Sequence, residues 1–297
     1  MICVSNLEFR YSPTSPDVIK DISFEINKGE IFGFLGPSGA GKSTTQKILT
    51  GQLKTYSGSV IAEGKEIKES ERSIYNRIGV AFEFPNLYEK LTARENLKLF
   101  ASFYSRKIIE PEDLLKMVNL FEDRNTLVSS FSKGMKMRLN FARSIMHRPE
   151  LLFLDEPTAG LDPVNAKMIK DIIIGLKLKG TTIFLTTHNM HDAETLCDRL
   201  ALINNGVLVV SGSPSDLKMQ YGEKKLKITL KQNEKRIIKE FPLNGIASDK
   251  LFLETLKSDD LETIHTCEAN MEDIFIKLTG RNLTGMSVDQ YENADNI

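Results

Sequence analysis

Gly36-Pro37-Ser38-Gly39-Ala40-Gly41-Lys42-Ser43-Thr44 follows directly on the apolar run Ile31-Phe32-Gly33-Phe34-Leu35. That run is apolar on both faces, as a central strand covered on both sides must be. A helix is predicted to begin near Lys42. Strand, glycine-rich loop and helix together form a device for holding phosphate. The glycines let the backbone bend so that successive N–H groups point at phosphate oxygens, and the helix start adds its positive end. Lys42 is then expected to reach the β- and γ-phosphates of a nucleoside triphosphate, with the Ser43 hydroxyl on Mg²⁺. A glycine-rich turn with a solvated lysine is the plain alternative. The four fixed positions of G-x-x-x-x-G-K-[ST] recur by chance in about one such chain in a hundred, so nucleotide binding is the stronger reading.

A second apolar strand, Leu151-Leu152-Phe153-Leu154, ends in Asp155-Glu156. In open α/β sheets ligands collect at the carboxyl ends of parallel strands. Asp155 is placed to hold Mg²⁺ through water, and Glu156 to face the water that attacks the γ-phosphate. Alone, two acids at a strand end are commonplace; beside a phosphate loop they read as part of one site.

Working outward, a strand is predicted at Asp21 to Ile26 and another at Thr181 to Leu185, with a helix between Leu154 and Thr181 marked by Met168, Ile169, Ile172, Ile173 and Leu176. At the start, Cys3, Ser5 and Leu7 alternate with Val4, Asn6 and Glu8. The fold class is therefore α/β, a P-loop NTPase with a substantially parallel sheet. The segment 84–150 reads as a helical subdomain. The nucleotide-binding domain is expected to span 1–222 and a small α+β accessory domain 223–280. Leu226, Ile228 and Leu230 mark a half-exposed strand there, and strand-like pieces are predicted at Leu251 to Leu253 and Thr263 to Thr266. A final helix carries Met271, Ile274, Phe275 and Leu278 on one face and stops at Gly280. The polar tail 281–297 is expected to be disordered.

Composition narrows the function. Of 297 residues, 39 are Lys or Arg and 40 Asp or Glu, a formal charge of −1, which argues against a surface built for nucleic acid. Cys3, Cys197 and Cys267 are far apart and show no metal-ligand or disulfide spacing, which fits a reducing, cytoplasmic setting. The opening residues lack the pattern of a signal peptide. No apolar run approaches the roughly 20 residues a membrane span needs.

Taken in order, these elements resemble the ATP-binding-cassette (ABC) ATPases across about residues 1–220. Phe131-Ser132-Lys133-Gly134-Met135 is similar to the family signature L-S-G-G-Q, Ala159-Gly160-Leu161-Asp162 to its D-loop, and His188 to its switch histidine. Tyr11 is placed like the aromatic residue that stacks on adenine. The resemblance implies that Ser132 and the Gly134 N–H face the γ-phosphate of an ATP held by a second subunit, so that two ATP molecules close a homodimer or heterodimer. It also implies that His188 touches the γ-phosphate. The residues alone leave other readings open. Ser132 is a good N-cap for a helix carrying Leu139, Ala142, Ile145 and Met146. A lone histidine after a strand is often a packing residue, and Tyr11 fits a surface turn before Pro13 equally.

Two positions depart from the family pattern. Glu83 stands where a glutamine is usual; a carboxylate can still ligate Mg²⁺ or its waters but adds negative charge. Lys133 replaces the first signature glycine. Both departures, and the ending Met271 to Gly280, resemble the ATPases of ABC-2-type exporters, including bacitracin-like, lantibiotic and drug-export systems. That branch implies a separate integral-membrane permease as partner, ATP hydrolysis coupled to export, and a place at the inner face of the cell membrane. Phe84-Pro85-Asn86-Leu87-Tyr88 is the predicted permease contact, with packing under the helical subdomain as the alternative. A soluble ABC ATPase acting on nucleic acid or ribosomes is the competing function. It fits less well, because there is one phosphate loop and the stretch between Lys42 and Phe131 is too short for a long coiled coil. A regulatory nucleotide binder without hydrolysis is opposed by Glu156 and His188.

Overall fold

The computed structural model describes residues 1–280 apart from 71, 233, 234 and 268. Expectations for 281–297 lie outside the described residues. The chain forms two compact units, Met1–Ser211 and Gly212–Ile297.

In the first unit, β1 (Ile2–Phe9), β2 (Ile19–Ile26), β4 (Ser57–Ala62) and β5 (Lys65–Glu66) make an antiparallel sheet in the order β2-β1-β4-β5. β3 (Ile31–Leu35), β6 (Ile78–Ala81), β7 (Leu151–Asp155), β8 (Thr182–Thr187), β9 (Arg199–Asn204) and β10 (Val207–Gly212) make the main sheet, ordered β10-β9-β3-β8-β7-β6. Its strands from β9 to β6 run parallel. The connecting helices are α1 (Lys42–Leu49), α2 (Ala93–Ala101), α3 (Pro111–Met117), α4 (Lys133–Ile145), α5 (Pro163–Leu178) and α6 (Met190–Leu196). Aromatic rings join the two sheets: Phe24 of β2 lies 5.6 Å from Phe32 and 5.4 Å from Phe34. The phosphate loop leaves β3, and β7 lies one strand beyond β8, so both sequence motifs emerge at the same edge of the sheet.

The alternation expected in β1 breaks at Asn6. Asn6 adopts φ 48°, and the register against β2 shifts between Val4 and Leu7. Ile2, Val4, Leu7 and Phe9 are buried, whereas Cys3 and Ser5 are only partly so. One residue in a left-handed conformation inverts the in-out phase, as a bulge does.

α4 is backed onto β6 through His147, which is buried. Its Nε2 lies 2.9 Å from the Ile78 carbonyl, and Tyr104 stacks on the ring at 4.0 Å. A carbonyl only accepts, so Nε2 carries the proton, and the buried Nδ1 has no partner. Burial pushes the His147 pKa down to about 4, against the Ile78 bond, which favours the cation. The unfolded chain therefore takes up a proton below pH 6.5 that the fold refuses. Stability is expected to fall by up to about 3 kcal/mol as the pH drops from 6.5 to 4. Urea unfolding across that window tests this, and His147→Gln should flatten the slope.

The second unit contains α7 (Pro214–Tyr221), β11 (Lys225–Gln232), β12 (Lys235–Pro242), α8 (Lys250–Leu256), β13 (Leu261–Cys267) and α9 (Met271–Thr279). The three strands form an antiparallel sheet ordered β12-β11-β13, with Phe252 of α8 packed edge-on against Phe241 at 5.4 Å. Residues 251–253, expected as strand, are helical. Asp249 accepts from the Phe252 N–H at 3.0 Å and starts the helix, which buries Phe252 and Thr255 while Leu251 and Leu253 stay exposed. A capped helix burying positions three apart outweighs the local apolar run. The two units divide after Ser211, eleven residues before the expected boundary at 222, and α7 packs on α9. The α9 helix runs as expected, with a capping box at Asn270 and Gly280 in the left-handed region.

Candidate nucleotide site

A pocket of about 350 Å³ opens where the phosphate loop, β7 and β8 end. Its lining includes Ser38, Gly39, Gly41, Lys42, Ser43, Thr44, Glu83, Asp155, Glu156 and His188. Val18 also lines it and carries no polar signal by which sequence alone could have found it.

The loop's shape rests on its glycines. Gly39 and Gly41 take φ 80° and 111°, and a Cβ on Gly41 would lie 2.7 Å from Ile19 Cδ1. Gly36 passes the Ile203 carbonyl so closely that a Cβ would sit 2.1 Å from its oxygen. Pro37 and Gly36 turn their carbonyls towards Lys42, whose Nζ donates to them at 3.0 and 2.6 Å. Ala40, buried, packs in the core below. Burial pushes the Lys42 pKa down, while Glu156, Asp155 and Glu83 push it back up. The backbone cradle and the start of α1 fit a polyphosphate.

Asp155 ends β7 beside the loop. Its Oδ2 accepts from Ser43 Oγ at 3.1 Å, and its Oδ1 accepts from Thr186 Oγ1. Ser43, Asp155 and Glu83 are hard oxygen donors. Among the described residues no cluster of three or more His, Cys, Asp or Glu makes a protein-only cage; an ion that keeps waters and phosphate oxygens needs none.

Glu156, 6% exposed, has φ 50°. Its N–H donates to the Thr186 carbonyl at 2.9 Å. Oε1 accepts from the His188 backbone N–H at 2.8 Å and from Nδ1 at 2.6 Å; Oε2 accepts from Thr187 Oγ1 at 2.9 Å. Thr186 and Thr187 are the site residues the motif reading missed. Both sit at the end of β8 beside His188, and a hydroxyl pair before a motif histidine was the available signal.

The remaining predicted residues lie elsewhere. Tyr11 is 58% exposed; its hydroxyl is 3.1 Å from Thr44 Oγ1, and its ring stands edge-on to Phe9. It is not among the pocket-lining residues. Ser132 caps α4, accepting from the Met135 N–H at 3.2 Å. Neither Ser132 nor Gly134 lines the pocket. Gly134 and Lys133 instead lie along the D-loop: a Cβ on Gly134 would meet Leu161 at 3.4 Å, and one on Gly160 would meet the Lys133 side chain at 3.4 to 3.6 Å.

Residues 19–159 match the ABC transporter family, and residues 225–268 match the fluoroquinolone efflux ABC transporter C-terminal domain. A fluoroquinolones export ATP-binding protein of Mycobacterium tuberculosis is 48% identical over 285 residues, covering 96% of this chain and 95% of that one. Nod factor export ATP-binding protein I of Rhizobium johnstonii is 34% identical, across 90% of this chain and 91% of its own. A solved dimeric structure of a bacterial ABC transporter cassette has a TM-score of 0.65 at 25% identity, covering 72% of this chain and 98% of that one. With a relative this similar along nearly its whole length, and a phosphate loop, Asp155, Glu156 and His188 gathered at one pocket, the chain belongs to the ATP-binding proteins of the ABC transporter family.

Proposed function

We propose that this chain hydrolyses ATP as one of a pair of ATPase subunits and thereby drives export through a separate integral-membrane permease. The observation that carries this is a division of labour. The phosphate loop, two carboxylates and a histidine share one pocket, while the N-terminus of α4, with Ser132 and Gly134, does not line it. A second chain is needed to bring such a helix end to the nucleotide, and the dimeric cassette cited above supports that pairing.

In this reading Lys42 leaves the Gly36 and Pro37 carbonyls for phosphate oxygens, and Tyr11 flanks the base. Ser43 and Asp155 would hold Mg²⁺, with Glu83 at its water shell, and a bound ion would supply charge neutralisation at the phosphates. Glu156 has Oε1 filled by two donors from His188, which leaves Oε2 capacity to accept a proton from water. His188 and Lys42 stabilise charge on the transferred phosphoryl group. Positioning and electrostatics carry the chemistry.

The export direction is supported by the names of the relatives and by the matched C-terminal domain. Among the described residues no helix is long and apolar enough to cross a membrane, which fits a chain that serves a permease from outside the bilayer. Such a chain works at the cytoplasmic face, where ATP is supplied. The permease contact is proposed at Phe84 to Tyr88. Phe84 is 76% and Tyr88 50% exposed, and buried Asn96 holds this loop by accepting from the Tyr88 N–H at 2.8 Å and donating to its carbonyl at 2.9 Å. An exposed aromatic pair on a fixed loop suits a short partner helix.

Phosphate release from the purified chain with Mg·ATP, alone and reconstituted with its permease, tests the proposal. Turnover that rises with permease is expected. Tyr88→Glu should keep the basal rate and lose the stimulation; a chain that binds ATP and releases no phosphate in either setting overturns the reading.

A further inference from the structure

Asp192 stands outside the nucleotide pocket yet touches both elements that carry the acid and the histidine. It lies in the first turn of α6, four residues after His188, and is 6% exposed. Its backbone N–H donates to the capping Asn189 Oδ1 at 3.1 Å. Its Oδ2 accepts from Thr158 Oγ1 at 2.6 Å, and its Oδ1 accepts from Lys170 Nζ of α5 at 2.9 Å. Thr158 is two residues beyond Glu156, in the turn where Glu156 takes its left-handed φ of 50°. A non-glycine residue keeps that conformation only where its surroundings hold it.

We infer that Asp192 is the positioning residue that sets His188 against Glu156. One carboxylate is fixed to α6 through its own backbone and to the Glu156 turn through Thr158. It thereby spans the two arms whose tips meet where His188 Nδ1 lies 2.6 Å from Glu156 Oε1. Lys170 balances the buried charge, so the carboxylate stays seated between the two arms. A helix tie made for stability alone needs no such placement. Here the tie joins the segment immediately after the histidine to the segment immediately after the acid, and loosening it would misalign the pair by a fraction of an ångström. Misplacement on that scale acts on turnover more than on nucleotide affinity.

The inference rests on the reading that Glu156 and His188 carry out hydrolysis, and the test separates the two. Steady-state phosphate release by the full chain with Mg·ATP is measured for Asp192→Asn, His188→Ala and the double variant. Asp192→Asn is expected to lower kcat about 10-fold with KM for ATP within about twofold. Added to His188→Ala it is expected to cost no further rate, because groups that act as a unit are not additive. Thr158→Val, which removes one hydroxyl and keeps the shape, should show the same pattern more weakly and serves if Asp192→Asn does not fold. A wild-type kcat in both, or an equal fold-loss on the wild-type and His188→Ala backgrounds, overturns the inference while leaving the hydrolysis reading intact. A wild-type rate in His188→Ala itself refutes the role given to the histidine, and Asp192's role falls with it.

Discussion

Glu156→Gln is expected to bind Mg·ATP as tightly as the native chain, to accumulate as a nucleotide-bound pair, and to release phosphate about 1,000-fold more slowly. The amide is isosteric. Its oxygen can still accept from the His188 N–H and Nδ1, and its NH₂ can turn to Thr187 Oγ1, which accepts as readily as it donates. The pocket is thus kept while the carboxylate assigned to take a proton from water is lost. Positioned general bases contribute about 10²–10⁴-fold, and 1,000-fold corresponds to about 4 kcal/mol of barrier. Phosphate release gives the rate, and size-exclusion chromatography of the ATP-loaded variant gives the assembly state. Wild-type turnover would remove Glu156 from its role; a strictly monomeric loaded chain, with and without permease, would remove the second subunit from the site.

Lys42→Ala should abolish function one step earlier, at binding. Lys42 is the one lysine or arginine among the described residues that line the pocket, where it faces Glu83, Asp155 and Glu156. Without it a triphosphate enters a cleft with three carboxylates and no fixed cation. Removing one partner of a buried, hydrogen-bonded charge pair costs about 2–5 kcal/mol, so ATP affinity is expected to fall at least about 30-fold. Fluorescence titration with a labelled ATP analogue reads this directly. Lys42→Arg is the informative companion: it keeps the charge but brings a planar fork where the loop carbonyls seat a compact ammonium, and partial recovery is expected. Unchanged affinity in Lys42→Ala would exclude the phosphate loop as the nucleotide site.

Local chemistry explains which features were legible beforehand. The phosphate loop could be read because its glycines are demanded by backbone geometry within nine residues, and the strand before it because burial on both faces leaves a continuous apolar run. Ser132 was legible as a cap because a side chain three residues from its N–H partner needs no tertiary help. Leu251 to Leu253 misled because three consecutive apolar residues carry no period, and the Asp249 cap with the position of Phe241 decided for helix. β1 misled at one residue, Asn6, whose φ of 48° goes with hydrogen bonds to the partner strand, from its N–H to Ser23 Oγ and from its side-chain amide to Asp21, that no local pattern shows.

The amino-acid sequence by itself determined the class of the protein, the loop that cradles phosphate and the two acids at the end of a buried strand, because each is encoded over a few consecutive residues. The tertiary structure alone decided who supports them. Thr186 and Thr187 on the acids, Asp192 between Thr158 and Lys170, and Val18 on the pocket wall are distant in the chain. Their hydrogen bonds and contacts exist only once the fold has formed; a local pattern marks Thr186 and Thr187 as hydroxyls before a histidine, but not the acids they serve.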